Sequence, residues 1–90
     1  MTPLRVVLYS RPGCCLCDRA AELLESLSRE LPHELHTVNI DADPILREKW
    51  CCHIPVLFID GSHRVALRIT EERLRRAFTR ALQKREAPVP

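Results

Sequence analysis

Residues 9–17, Tyr9-Ser10-Arg11-Pro12-Gly13-Cys14-Cys15-Leu16-Cys17, decide how this chain is read. Three cysteines fall within four positions, directly after a short apolar run. Leu4 to Tyr9 (LRVVLY) is mostly apolar and β-branched in its middle, the pattern of a buried strand. Pro12 and Gly13 break that strand. Beyond them Leu16, Ala20, Leu23, Leu24, Leu27 and Leu31 recur at three- and four-residue steps, which predicts a helix. Pro32 ends it. The cysteines therefore stand at a strand-to-helix junction.

Leu35 to Ile40 (LHTVNI) alternates apolar with polar and reads as a second strand. Asp43 is an N-cap, and Pro44 takes the first position of a short helix reaching about Trp50. Pro55 to Ile59 (PVLFI) reads as a third strand, Asp60-Gly61 as a hairpin turn, and Arg64 to Leu67 as the returning fourth strand. Thr70 caps a last helix whose apolar stripe is Leu74, Ala77, Phe78, Ala81 and Leu82. Glu71 and Glu72 suit its positive end. The order β-α-β-α-β-β-α predicts an α/β domain: two parallel strands joined by a crossover, an antiparallel hairpin in the same sheet, and helices on both faces. One domain spans residues 1–85, with residues 86–90 (EAPVP) as a loose tail.

Composition agrees with a small globular unit. The 90 residues are 46% apolar and 29% charged, which is not the balance of a disordered chain. With one Trp, one Tyr and two Phe, aliphatic side chains must fill most of the core. No apolar run is long enough to cross a bilayer. The start, MTPLRVVLYS, has an arginine inside its apolar run and no small-residue cleavage pattern, so no signal peptide is expected. A reducing, cytoplasmic setting is therefore expected, where cysteines more often catalyse or bind metal than bridge. Five cysteines, an odd number, would also leave one unpaired in a pure disulfide framework. The net charge of +2 is too small to imply a polyanionic partner. Arginines crowd the last third, from Arg64 to Arg85, but without interleaved aromatics or a binding motif they read as a solvated helix face rather than a nucleic-acid patch.

Cys14 and Cys17 are spaced Cys-x-x-Cys where a helix opens. Backbone N–H groups in a first helical turn lack intrahelical acceptors and carry partial positive charge. A thiolate placed there is stabilised and its pKa falls below the free value of about 8.5. Arg11 adds positive charge from the loop side. The thiolate is the attacking species in disulfide exchange, so Cys14 is the expected nucleophile. Cys17, one turn on and deeper, is the expected resolver. The bland reading, in which the cysteines are buried apolar fillers, fits poorly with the exposed Pro-Gly break ahead of them. Ile54-Pro55 is the second element. A cis bond there would turn the Ile54 backbone toward an extended substrate, whereas sequence alone favours an ordinary trans proline at a strand start.

Taken together, these residues resemble the thioredoxin superfamily, and glutaredoxins most. Tyr9 to Cys17 is similar to the glutaredoxin segment around Cys-Pro-Tyr-Cys, with Arg11 where a lysine is usual. Ile54-Pro55-Val56-Leu57 is similar to the superfamily's cis-proline segment. Cys14-Cys15-Leu16-Cys17-Asp18, with Asp41-Ala42-Asp43 in mid-chain, looks closest to a Cys-x-Leu-Cys glutaredoxin-like group without an assigned function. The resemblance covers roughly residues 4–83. It implies a thioredoxin-like (glutaredoxin) fold with a four-stranded mixed sheet, a cis Pro55 beside Cys14, and dithiol-disulfide exchange. Cys14 and Cys17 would be catalytic, and Arg11, Ile54 and Pro55 substrate-binding. The implied partners are protein or small-molecule disulfides, with glutathione or a thioredoxin-type reductase as electron source. No resident cofactor, metal, nucleic acid or membrane is implied, and the chain is expected as a monomer. The Gly-Gly-x-Asp segment that holds glutathione in glutaredoxins is absent, Leu67-Arg68-Ile69-Thr70 standing near that place. Glutathione as co-substrate is therefore an open matter.

Three readings stay open for Cys15, Cys51 and Cys52. They are passive; or one is an auxiliary resolving thiol; or Cys14, Cys17, Cys52 and His53 bind zinc, or the cysteines an iron–sulfur cluster. A further alternative is a non-catalytic interaction module that uses the basic C-terminal helix. Trp50 reads as a core plug. Asp18 supports the first helical turn, with a general base as its other reading. His33, His36 and His63 read as surface residues.

Overall fold

A computed structural model describes residues 4–51, 53–61, 63–66 and 68–86. The sheet has four strands, β1 (Leu4–Ser10), β2 (His33–Asn39), β3 (Val56–Ile59) and β4 (His63–Ala66). Their spatial order is β2-β1-β3-β4. β1 runs parallel to β2 and antiparallel to β3, and β4 is antiparallel to β3. Three helices complete the unit: α1 (Cys15–Leu27), α2 (Pro44–Trp50) and α3 (Glu71–Glu86). A 3-10 turn, Ile40–Ala42, precedes α2. This is the mixed sheet and element order read from the sequence.

Alternation along β1 and β3 sends side chains to two different cores. Leu4, Val6 and Leu8 of β1 and Leu57 and Ile59 of β3 pack with α1 and α3 on one face. Tyr9, Val56 and Phe58 join Ile40 and Trp50 on the other, the face covered by α2. Trp50 is the buried plug expected, stacked on Tyr9 with ring centroids 5.8 Å apart.

Local chemistry sets the ends. The Asp43 carboxylate accepts the Ile45 N–H at 2.9 Å, with Pro44 at the first helical position. Thr70 Oγ1 accepts the Arg73 N–H at 3.2 Å to cap α3. Asp60 (φ +54°) and Gly61 (φ +77°) both turn left-handed between β3 and β4, as their side chains allow. The Asp60 carboxylate also accepts the Arg5 N–H at 3.1 Å, tying the turn to β1.

Several sequence expectations need correction. α1 stops at Leu27, not near Pro32: Ser28 is the C-cap, and its hydroxyl donates to the Glu25 carbonyl at 2.6 Å. Serine competes in this way for helix backbone. Leu31 still packs against the core from beyond the helix end. Leu16 is not part of the buried stripe; it is 58% exposed in the first turn, at the margin of the face set by Cys17, Ala20, Leu24 and Leu27. β2 is shifted to His33–Asn39 and is mostly exposed, Leu35 included, because it is an edge strand that the helices cover little. Ile40 is buried from the 3-10 turn instead. His33 is half-buried, its ring 5.0 Å from that of Phe78 and its Nδ1 2.7 Å from the Leu31 carbonyl oxygen. β3 starts at Val56 rather than Pro55, and β4 covers His63–Ala66, with Leu67 outside the described residues. α3 runs through Glu86, and the remainder of the expected tail, 87–90, lies outside the described residues.

Candidate functional site

β1 ends at Ser10, and the chain turns through Arg11, Pro12 and Gly13 into α1. Gly13 has φ +79°, a conformation that side-chain-bearing residues rarely adopt, so this turn uses the residue best suited to it. The Cys14 N–H donates to the Arg11 carbonyl at 3.4 Å, closing the turn. Cys14 is the N-cap of α1, with extended backbone. Its carbonyl accepts the Asp18 N–H at 3.0 Å, and its sulfur accepts the Cys17 N–H at 3.2 Å. The thiol thus takes the place of a capping side-chain oxygen, aimed at one of the unpaired first-turn donors.

Cys14 and Cys17 are joined as a disulfide, their Cα atoms 5.2 Å apart. Cys14 is half-buried, whereas Cys17 is 3% exposed at the start of the helix's core face. Of the two cysteines, Cys14 is the more exposed. Asp18 is exposed in the first turn.

The strands bring the other candidates to the same end of the sheet. Tyr9 pairs with Val56, so Pro55, just ahead of β3, comes beside Ser10, where β1 gives way to the cysteine loop. The Ile54–Pro55 peptide bond is cis; Pro55 is buried and Ile54 half-buried. On the other side Ser10 pairs with Asn39, so the segments following β1 and β2 emerge together. Arg11 and Asp41 meet there. Arg11 Nη2 lies 2.6 Å from Asp41 Oδ1 and Nε 3.3 Å from Oδ2. The guanidinium holds the Asp41 carboxyl below its ordinary range, chiefly through these hydrogen bonds, and Arg47 adds to the effect. No local pattern in the sequence marks a role for Asp41. Its partner is thirty positions away, and only the parallel pairing of β1 with β2 reveals the contact.

The remaining thiols divide. Cys15 and Cys51 are exposed. Cys52 lies outside the described residues, so the weighed zinc set of Cys14, Cys17, Cys52 and His53 is described only in part. Among the described residues no three His, Cys, Asp or Glu side chains converge to hold a metal ion. His53 sits edge-on to Trp50, ring centroids 6.5 Å apart. No described helix is long and apolar enough to cross a membrane. On α3 three arginines engage the protein itself: Arg75 pairs with Glu30 and Glu71, Arg76 with Glu72, and Arg73 donates to the Ala66 and Arg68 carbonyls.

Comparison with known proteins places this geometry. A family described as glutaredoxin-like domain (DUF836) matches residues 5–79. An uncharacterized protein of Mycobacterium tuberculosis is 34% identical over 86 residues, covering 90% of this chain and 89% of its own. A solved structure from X. campestris is 28% identical, with a TM-score of 0.66, covering 92% of this chain and 99% of its own. Thioredoxin 1 of Thermosipho africanus, 11% identical, superposes with a TM-score of 0.70 over 92% of this chain and 99% of its own, a likeness of fold alone. With its cysteine pair capping the first helix of a thioredoxin fold, the chain belongs to the glutaredoxin-like domain family.

Proposed function

We propose that this protein is a thiol-disulfide oxidoreductase in which Cys14 attacks and Cys17 resolves. One observation carries the reading: the sulfur of half-buried Cys14 caps α1 and accepts the Cys17 N–H, while its bonded partner Cys17 is buried. In the reduced pair that N–H and the positive helix end stabilise a Cys14 thiolate. The thiolate attacks one sulfur of a substrate disulfide. A Cys14–substrate disulfide forms and the other substrate half leaves as a thiolate. Cys17, deprotonated, then attacks the Cys14 sulfur and expels the second half. The substrate gains two electrons and the Cys14–Cys17 disulfide is left. A dithiol, or two glutathione molecules, restores the reduced pair.

The Ile54-Pro55 segment lines the approach, since strand pairing sets it beside the loop that carries Cys14. Its backbone receives an extended substrate in strand fashion. Substrates in this reading are protein or small-molecule disulfides, met by a cytoplasmic monomer. Cys15 and Cys51 are given no step.

The test is substitution with intact-mass readout. Cys14→Ser should abolish disulfide reduction, and Cys17→Ser should accumulate a mixed disulfide on Cys14 that reductant releases. Full activity in Cys14→Ser would overturn the assignment.

A further inference from the structure

Arg11 brings a positive charge to the loop before Cys14, and that charge is already bound. The fork onto Asp41 uses Nη2 at 2.6 Å and Nε at 3.3 Å, a two-pronged guanidinium–carboxylate pair. Asp41 is itself oriented, because its N–H donates to the Asn39 side-chain oxygen at 2.9 Å. Arg47 acts on the same carboxylate electrostatically. The pair is not sealed in the core: the side chains of Arg11 and Asp41 are 33% and 39% exposed. A dissolved anion can therefore reach it and compete. It competes badly, since an internal carboxylate fixed on the same scaffold acts at a high effective concentration.

We propose that Asp41 is a specificity-determining residue of the Cys14 site: by occupying the Arg11 fork it disfavours disulfides that present a carboxylate there and leaves uncharged and protein disulfides as the preferred class. This rests on the oxidoreductase reading. Glutathione disulfide is the small-molecule example of the disfavoured class. The Nε and Nη2 N–H groups of Arg11 point at Asp41, and a planar fork cannot serve two carboxylates on the same edge.

Binding and turnover test this separately. The binding probe is S-methylglutathione, which carries the carboxylates but cannot exchange, titrated into the reduced full chain by NMR. Asp41→Ala and the isosteric Asp41→Asn should each tighten binding, Asp41→Ala on the order of tenfold, the worth of one charge-assisted contact. Added salt, or Arg11→Gln in the same background, should remove the gain. In single turnover, the rate with glutathione disulfide relative to hydroxyethyl disulfide should rise in both Asp41 variants. Unchanged or weaker S-methylglutathione binding in both variants, with the fold intact by circular dichroism, overturns the proposal. A reduced wild-type chain that reacts with neither disulfide defeats the oxidoreductase reading, while the titration still decides what Asp41 does to Arg11.

Discussion

The two faces of the sheet are built to different depths. Under α1 and α3 lies a continuous, mainly aliphatic core that includes Leu8, Leu24, Leu57, Leu74 and Phe78, all essentially without exposure. Under the short α2 lies a thinner cluster of Ile40, Val56 and Trp50, edged by Tyr9, Ile54 and Phe58. Most of the aromatic side chains are on this second face, with Tyr9 edge-on to Phe58 at 6.1 Å between centroids and Lys49 Nζ 5.0 Å from the Trp50 ring centre. The contrast separates two tasks. The deep face holds the domain together. The thin face supports the site, since Tyr9 immediately precedes Ser10 and Arg11, and Ile54 immediately precedes Pro55.

The largest expected effect tests the deep face. Phe78→Ala empties a fully buried position and should cost about 3–5 kcal/mol in urea unfolding, a large share of a small domain's stability. A smaller stability cost, about 2 kcal/mol, is expected for Trp50→Ala, because its cluster is shallower and can partly collapse. That variant should nonetheless lose disproportionate disulfide-reductase activity, measured on the same samples. Equal costs at the two positions, with the rate untouched by Trp50→Ala, would erase the distinction.

The smallest effect sharpens the comparison through acid. Glu30, beyond the end of α1, is held below its ordinary range first by hydrogen bonding and then by the charge of Arg75 on α3; Asp41 is held down by Arg11 on the site side. Both are groups whose folded pKa is depressed. Each contribution is therefore present in full above the unfolded value, about pH 4, and is lost as pH falls through the folded value. Glu30→Gln and Asp41→Asn should each flatten the acid limb of the Tm–pH curve. The loss should appear as a slightly lower Tm at neutral pH, the variants converging on the parent protein in acid, and added salt should shrink both effects. Unchanged acid limbs in both variants would show that these pairs do not couple to folding.

Much of this molecule can be read in one dimension, and the misreadings share a cause. Patterns within a helical turn or two worked: Asp43-Pro44 opens α2, Thr70 caps α3, and the Pro-Gly break ends β1. Periodicity failed where burial depends on what lies opposite. Leu16 and Leu35 sit at apolar positions of their repeats, yet one is in an overhanging first turn and the other on an edge strand. An apolar repeat says which residues share a face, not whether anything covers that face.

The sequence alone determined the element order, the strand-to-helix junction that makes Cys14 a cap, and the one-turn offset that brings Cys17 beneath it. Those properties depend on backbone periods and on neighbours a few residues away. Tertiary structure decided the rest: the placing of Pro55 beside Ser10 and the capture of Arg11 by Asp41. Such contacts arise because paired strands end at the same edge of a sheet, so segments far apart in the chain emerge side by side. No local pattern records which residues will meet there.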